Sequence, residues 1–449
     1  MNRYTILGIK KGPMTKTINF TYHIPHALKG QYLTLPFEMP ENIGRFTLVY
    51  EYPKRGVLKQ EIAGGSFSER QRLTTVDLGL VAPGNRQVAA TGSDKQSITL
   101  SETWATPGCT PCKLLPGTWQ ILVGAYRISP EGVDVHYTLT FEEKTPRWQT
   151  GDLHTHTLAS DGSKTALELC QHAKSQSMDF LAITDHNQFV KNASLPQLPG
   201  FTAIPGVEWT HYRGHSNFLG LEQAYDEPFF ANDVAEVGKR FQDAHARGAL
   251  IVLNHTHDDD LPFSFDTEDL PYDCIEIWNG PMRLSNLQAV AAWHGRLVRG
   301  EKAIMVCGSD YHKDALFQIL GGPSLRVFAQ SESAEDILTA VRQGHSYAVY
   351  EASGPSLEMR CGEALLGDSL PWHPGLQLNL RLEGLQTGDE VHLVGKSGSQ
   401  TVFKTEKSGR LELETPVLEA GFLRLELWRT LYAGIPALPL LISNPIWFD

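Results

Sequence analysis

The chain has 449 residues, 41% hydrophobic and 20% charged, with a formal net charge of −12 and a pI near 5.8. That length exceeds one ordinary core and predicts two or three domains. The acidic balance argues against broad binding to nucleic acid or an anionic membrane surface. A small anionic substrate stays compatible with it, because a metal cluster supplies positive charge locally. Residues 1–12 lack the apolar core of a signal peptide, and no stretch approaches the ~20 apolar residues that span a bilayer, so a cytoplasmic location is expected. Six cysteines in such a chain do not form a disulfide framework.

Residues 1–147 read as an all-β domain of sandwich or jelly-roll type. Alternating runs at Lys16–Tyr22, Arg45–Tyr52, Gln96–Leu100, Thr118–Arg127 and Val133–Glu142 are separated by Gly, Pro and Asn clusters such as Ala82-Pro83-Gly84-Asn85. Cys109-Thr110-Pro111-Cys112 opens no helix, and no second Cys or His pair follows at zinc-finger spacing, so it reads as a loop pair without function. No chemical cluster marks this domain, and packing or substrate gating is its expected role.

From 148 to 350 the pattern alternates. Helical spacing marks Thr165–Ser177, Asp233–Arg247, Leu284–Arg299 and Ala334–Gln343. Apolar strand-like runs fall at Phe180–Thr184, Ile204–Val207, Ala249–Leu253, Cys274–Trp278 and Ala303–Cys307. Alternating strands and helices predict a parallel sheet, closed or nearly closed into a β/α barrel. Residues 351–449 return to strand alternation, at Leu376–Leu382, Glu390–Val394, Gly421–Trp428 and Leu438–Ser443, and predict a third, small β domain.

The chemistry sits in the middle segment, in five groups of His, Asp and Glu placed at expected strand ends. They are His154-Thr155-His156 with Asp161; Asp185-His186-Asn187; Glu208 with His215; His255; and Asp310-Tyr311-His312. Imidazoles and carboxylates are the ligands of Zn²⁺, Mn²⁺ and Fe²⁺. One His-X-His is weak evidence, but five groups in barrel order converge on one mouth. Residues i and i+2 share a strand face, which suits both His154/His156 and Asp310/His312. His211 and His257 lie close to candidate ligands. His255 ranks above His257 because it directly follows the apolar strand. The acidic run Asp258–Asp260 reads as a solvated loop or cap, and Asp152 as a structural partner of backbone or of a ligand histidine. Isolated histidines such as His172, His245, His294 and His345 carry no assigned role.

Together, His154-Thr-His156, Ser160-Asp161-Gly162, Thr184-Asp185-His186, Glu208 with His215, His255 and Ser309-Asp310-Tyr-His312 resemble the PHP (polymerase and histidinol phosphatase) superfamily. The runs Gly214-His-Ser-Asn217, Ile275-Glu276-Ile-Trp-Asn279-Gly280 and Gly308-Ser-Asp-Tyr-His312 look most like its CehA/McbA-type branch. The resemblance covers about residues 150–350 and not the flanking β domains. It implies a distorted (β/α)7 TIM-like barrel and two to three divalent ions (Mn²⁺, Zn²⁺ or Fe²⁺). It also implies His154, His156, Asp310 and Glu208 as ligands of a first ion, Glu208, His215 and His255 of a second, and Asp161, His186 and His312 of a third. The implied activity is a phosphoesterase, a phosphodiesterase or phosphatase on a small molecule, in which a metal-bridging hydroxide attacks phosphorus. Carbamate or carboxyl-ester hydrolysis and 3′–5′ nuclease activity are the alternatives, and a non-catalytic binding module is a reading of another class.

Within this scheme Glu208, Asp310 and His255 are the expected catalytic groups. Asp185 is expected to orient a ligand imidazole. Arg213 is the expected phosphate-binding cation, with Lys191 behind it. Asn187, Asn217, Trp278 and Asn279 are expected to line the substrate pocket.

Overall fold

The structure, a computed structural model, describes residues 14–189, 194–221, 228–432 and 434–449. Lys191 lies outside the described residues. Two compact units divide the chain, Met1–Thr145 and Pro146–Asp449.

The first unit holds two four-stranded antiparallel sheets. One runs Thr15–Ile24, Val133–Glu143, Ile43–Glu51 and Ser97–Ser101 across the sheet; the other runs Tyr32–Met39, Gly117–Arg127, Thr75–Ala82 and Arg86–Thr91. Period-two alternation turns Val135, Tyr137, Leu139 and Phe141 of one sheet, and Trp119, Ile121 and Val123 of the other, into a single core. Every run expected from alternation is a strand. Among the strands not expected from the sequence, Thr75–Ala82 is buried almost throughout and Gly65–Arg72 is exposed throughout, so neither alternates, whereas Tyr32–Met39 does alternate. Cys109 and Cys112 are free thiols, and burial pushes both up.

The second unit begins with β1 (Arg147–Asp152), α1 (Ala166–Ser175) and β2 (Phe180–Ile183). The hairpin of β3 (Thr202–His211) and β4 (Gly214–Leu219) follows, then α2 (Val234–Ala246), β5 (Leu250–Leu253) and β6 (Cys274–Asn279). The unit continues through α3 (Leu284–Val298), β7 (Ile304–Gly308), β8 (Ser324–Ala329), α4 (Ala334–Arg342) and β9 (Ser346–Val349). The sheet order is β7-β6-β5-β4-β3-β2-β1-β8-β9. Strands β1 to β3 are parallel, as are β5 to β7, but β4 is antiparallel to both its neighbours and β8 is antiparallel to β1. The fold is thus mixed α/β with few helices, where an all-parallel sheet was expected. The cause is local: only Tyr212 and Arg213 separate β3 from β4, and a connection that short can join only antiparallel strands.

The turn after β7 reaches the end of β1. Buried Asp152, at the end of β1, accepts from the backbone N–H of His154 (3.1 Å), Ser309 (3.0 Å) and Gly321 (3.1 Å). Burial pushes its carboxyl up to about 6 even though these donors favour the ionised form.

The expected domain boundary at 350 does not separate two bodies in the structure. Strand β9 pairs with Leu438–Ser443, so the C-terminal strands extend the same sheet, and one apolar core runs from Leu153 to Phe448. The buried Asn444 side chain pins this continuity, donating to Met305 O and Ser346 O and accepting from Met305 N. Alternation reads a strand's own faces but not the strand it pairs with, which is why the boundary looked real. Among the described residues no helix is long and apolar enough to cross a membrane.

Candidate metal centre

Apolar strands deliver the polar groups. Every residue of β2, β5 and β6 is buried, and His186, His255 and Asp310 follow within three residues of β2, β5 and β7. Three turns leave the strand in the left-handed region: Asn187 at φ 48°, His255 at 28° and Asp310 at 50°. Such backbone costs on the order of 1–3 kcal/mol per residue and persists only where surrounding bonds enforce it. Two glycines make room. A Cβ at Gly308 would lie 2.4 Å from His154 Cβ, and one at Gly162 would lie 2.3 Å from His156 O.

All nine expected ligands meet at this mouth. Glu208 is central and fully buried: Oε1 lies 3.2 Å from His154 Nε2, 3.1 Å from His215 Nδ1 and 3.5 Å from His255 Nε2. Its Oε2 lies 2.7 Å from His186 Nδ1 and 3.6 Å from His156 Nε2. Asp310 Oδ1 sits 3.3 Å from His154 Nε2, 3.0 Å from His156 Nε2 and 3.6 Å from His312 Nδ1. Asp161 Oδ1 joins the outer side, 3.3 Å from His312 Nε2, 3.6 Å from His186 Nε2 and 3.9 Å from His156 Nδ1.

Three groupings bring donor atoms within 4.8 Å of one another: His156, Asp161, His186 and His312; His154, His156 and Glu208; and His186, Glu208 and His215. His154 Nε2 and both ring nitrogens of His156 are buried without a hydrogen-bond partner. Buried polar atoms are ordinarily satisfied. Orphaned imidazole nitrogens facing two carboxylates are the donor set of a borderline divalent cation, so the residues present fit such ions.

Burial works against charge throughout, and the groups override it in pairs. It opposes ionisation of Glu208, but His154, His186 and His215 hold its carboxyl well below the usual range. His154 is likewise driven well above an ordinary imidazole by Asp310, Glu276 and Glu208. His255 rises to about 9 against its own desolvation, through Glu208, Asp310 and Glu276. Asp310 falls below the carboxylate range despite burial, because of His154 and His156. His156 moves down, because its burial dominates.

The supporting residues differ from expectation. Asp185 orients no imidazole. Its carboxylate accepts from Thr157 N–H, Thr157 Oγ1 and Ser160 Oγ, each at 2.7 Å, and so holds the loop between His156 and Asp161. The Nδ1 of His186 instead bonds Thr210 Oγ1 at 2.7 Å, and Asn187 fixes Thr210 through its N–H and carbonyl. Asn217 and Trp278 do not line an open pocket: both are buried, with Asn217 donating to Leu153 O and Trp278 to Gly280 O. Asn279 is buried too, and bonds Glu276 and Asp310.

Arg213 stacks on Phe265, its guanidinium 4.3 Å from the ring centroid, and donates to Ser264 O. It is committed to the loop at Ser264 and Phe265, across from its own hairpin. Arg283 approaches the cluster through Asn279, donating to its Oδ1 (3.4 Å) while the Asn279 amide meets Asp310, and pairs with Asp258 (2.9 Å). His211 bonds Ala231 O and stacks on Trp209, and His257 bonds Thr256, so neither joins the cluster. Residues the sequence left without a role include Asn254, whose amide donates to Glu208 Oε1 at 2.8 Å, and Glu276. Glu276 lay inside a noted motif, but a single acid in a strand carries no spacing signal.

Residues 152–258 match the PHP domain family. A curated relative, the 5′-3′ exoribonuclease Rnm of Salmonella typhimurium, is 31% identical over 157 residues, which is 32% of this chain and 45% of the relative, so the match spans under half that relative's length. Among solved structures, a two-domain Bacteroides vulgatus protein containing a predicted PHP-like metal-dependent phosphoesterase aligns with TM-score 0.38 and 16% identity, covering 66% of this chain and 95% of that one. A Chromobacterium violaceum amidohydrolase with bound sulfate and no metal aligns with TM-score 0.27 and 14% identity, covering 36% and 87%. The segment that matches the PHP domain carries seven of the nine candidate ligands, His154 to His255, and stops short of Asp310 and His312.

Proposed function

We propose that this chain is a metal-dependent phosphoesterase acting on a small phosphodiester or phosphomonoester. In this reading residues 148–350 form a distorted (β/α)7 PHP barrel of the CehA/McbA-like branch. One observation carries it: His154, His156, His186, His215, His255, His312, Asp161, Glu208 and Asp310 converge on one mouth, with three buried imidazole nitrogens left unbonded. Two to three ions of Mn²⁺, Zn²⁺ or Fe²⁺ would supply Lewis acidity toward a phosphoryl oxygen and acidify water near neutral pH. Glu208 and Asp310, each facing several imidazoles, hold negative charge between the groupings and keep the cations' donors together. His255, with Nδ1 against Leu261 O and Nε2 3.5 Å from Glu208 Oε1, is placed to hold a cation together with Glu208. Arg283, paired with Asp258 and linked to Asp310 only through the Asn279 amide, supplies a guanidinium for a substrate oxygen.

The test compares bis-p-nitrophenyl phosphate, p-nitrophenyl phosphate and an aryl carbamate, with Mn²⁺ added, on wild-type protein and Glu208→Ala. Phosphoester turnover lost in the variant supports the reading; cleavage of the carbamate alone overturns it. The Salmonella relative favours a second reading, exonucleolytic attack on RNA. Turnover of a single-stranded RNA oligonucleotide that outpaces every small ester, with steep salt dependence, would select it.

A further inference from the structure

Glu276 is the one charged residue of β6, whose six residues are all buried. It is 2% exposed, and an isolated buried carboxylate is costly unless donors surround it. Its surroundings are specific. Oε1 lies 3.1 Å from His154 Nδ1. Oε2 accepts from the His255 backbone N–H at 2.8 Å and from Asn279 Nδ2 at 3.1 Å. The same Asn279 amide reaches Asp310 Oδ2 at 3.3 Å. One carboxylate therefore touches the turns after β1 and β5 and, through Asn279, the turn after β7. Two of those turns, at His255 and Asp310, carry the left-handed backbone that needs enforcement. The missing Cβ of Gly308 leaves the space, since a Cβ there would lie 2.9 Å from Glu276 Oε1.

We propose that Glu276 is a positioning residue that sets the ring of His154 and the backbone of His255 in the geometry that binds cations. A carboxylate at Nδ1 keeps the proton on that nitrogen and turns Nε2, unbonded and flanked by Glu208 and Asp310, toward the cluster. Both oxygens of Glu276 face N–H donors. A glutamine has one acceptor oxygen, so its NH2 must oppose a donor whichever way the amide is flipped. Isosteric replacement is then nearly as damaging as truncation, a result that mere filling of space does not give. The role rests on the metal-dependent reading above.

Two measurements test it. Co²⁺ binding, followed by its visible absorption and by chelator competition, is compared in wild type, Glu276→Gln and Glu276→Ala. The expected result is a loss of affinity of roughly 10–100-fold in both variants, with an altered spectrum. Equal affinity and an unchanged spectrum in Glu276→Gln overturn the proposal. Nitrogen NMR of histidine-labelled wild-type protein, with His154 assigned by its loss in His154→Gln, needs no folded Glu276 variant. An Nδ1 proton that exchanges more slowly than any on Nε2 supports the proposal, and an unprotonated or freely exchanging Nδ1 overturns it. Wild-type protein that binds no Co²⁺ overturns the function proposed above, and the His154 proton still decides the role of Glu276.

Discussion

The two units spend burial differently. In the first, among the described residues, the buried polar side chains are hydroxyls only: Thr74, Thr75, Thr91 and Ser101. In the second, Asp152, His154, His156, Asp185, Glu208, His215 and Glu276 are all buried, and they gather at one end of one sheet. An apolar interior such as that around Trp119 is explained by stability alone. A nest of buried acids and imidazoles is not, because each costs desolvation and several remain unpaired. The contrast teaches where to look for chemistry: in the unit that tolerates expensive groups.

Mutations can break that contrast. Glu208→Ala removes the carboxylate that His154, His215 and His255 all face. Turnover is expected to fall by roughly 10²–10³-fold, and metal content by elemental analysis to fall with it. Trp119→Ala, fully buried in the first unit, is expected to cost about 3–5 kcal/mol in denaturant unfolding of that unit. Metal content of the folded protein should not change; a parallel loss would show that the two units are not independent in the way their interiors suggest.

A gentler probe is pH. His255 stands at about 9 in the folded, metal-free chain against an ordinary 6.5. A cation must displace that proton, so apparent metal affinity is expected to rise across this window by roughly tenfold per pH unit. The raised pKa acts oppositely on the metal-free fold. Its contribution is fully present below 6.5 and lost as pH rises through 9, so the metal-free Tm should fall while affinity climbs. Calorimetric titrations at several pH values check both signs.

Thr210→Val deletes the hydroxyl bonded to His186 Nδ1. Metal affinity should drop by roughly 10-fold, the low end for an outer partner of a ligand histidine. The smallest effect belongs to Arg213→Ala. The side chain is exposed and spent on Phe265, so KM should move by less than about twofold; a large rise in KM would return it to the substrate site.

Much of this was legible before any coordinates. His154/His156 and Asp310/His312 announce themselves by i, i+2 spacing after apolar strands, and the strand ends fall where the runs stop. What stayed hidden depends on the third dimension. The Asn217 and Asn279 amides look like pocket lining in sequence, yet they are buried among the residues that hold the ligands. Asp185 sits next to a ligand but serves the neighbouring loop, because its strand ends facing Thr157 and Ser160. The antiparallel place of β4 follows from a two-residue turn that hydrophobic patterning does not register, and the shared sheet beyond 350 follows from pairing, which no single strand encodes.

Gly308 has a meaning for anyone who would redesign this mouth. It binds nothing, yet any larger residue there would push His154 and Glu276 out of register together. A library that recoded the loops for a new ester would do well to leave that position untouched: a silent-looking alanine at 308 should empty the centre as thoroughly as deleting one of its imidazoles.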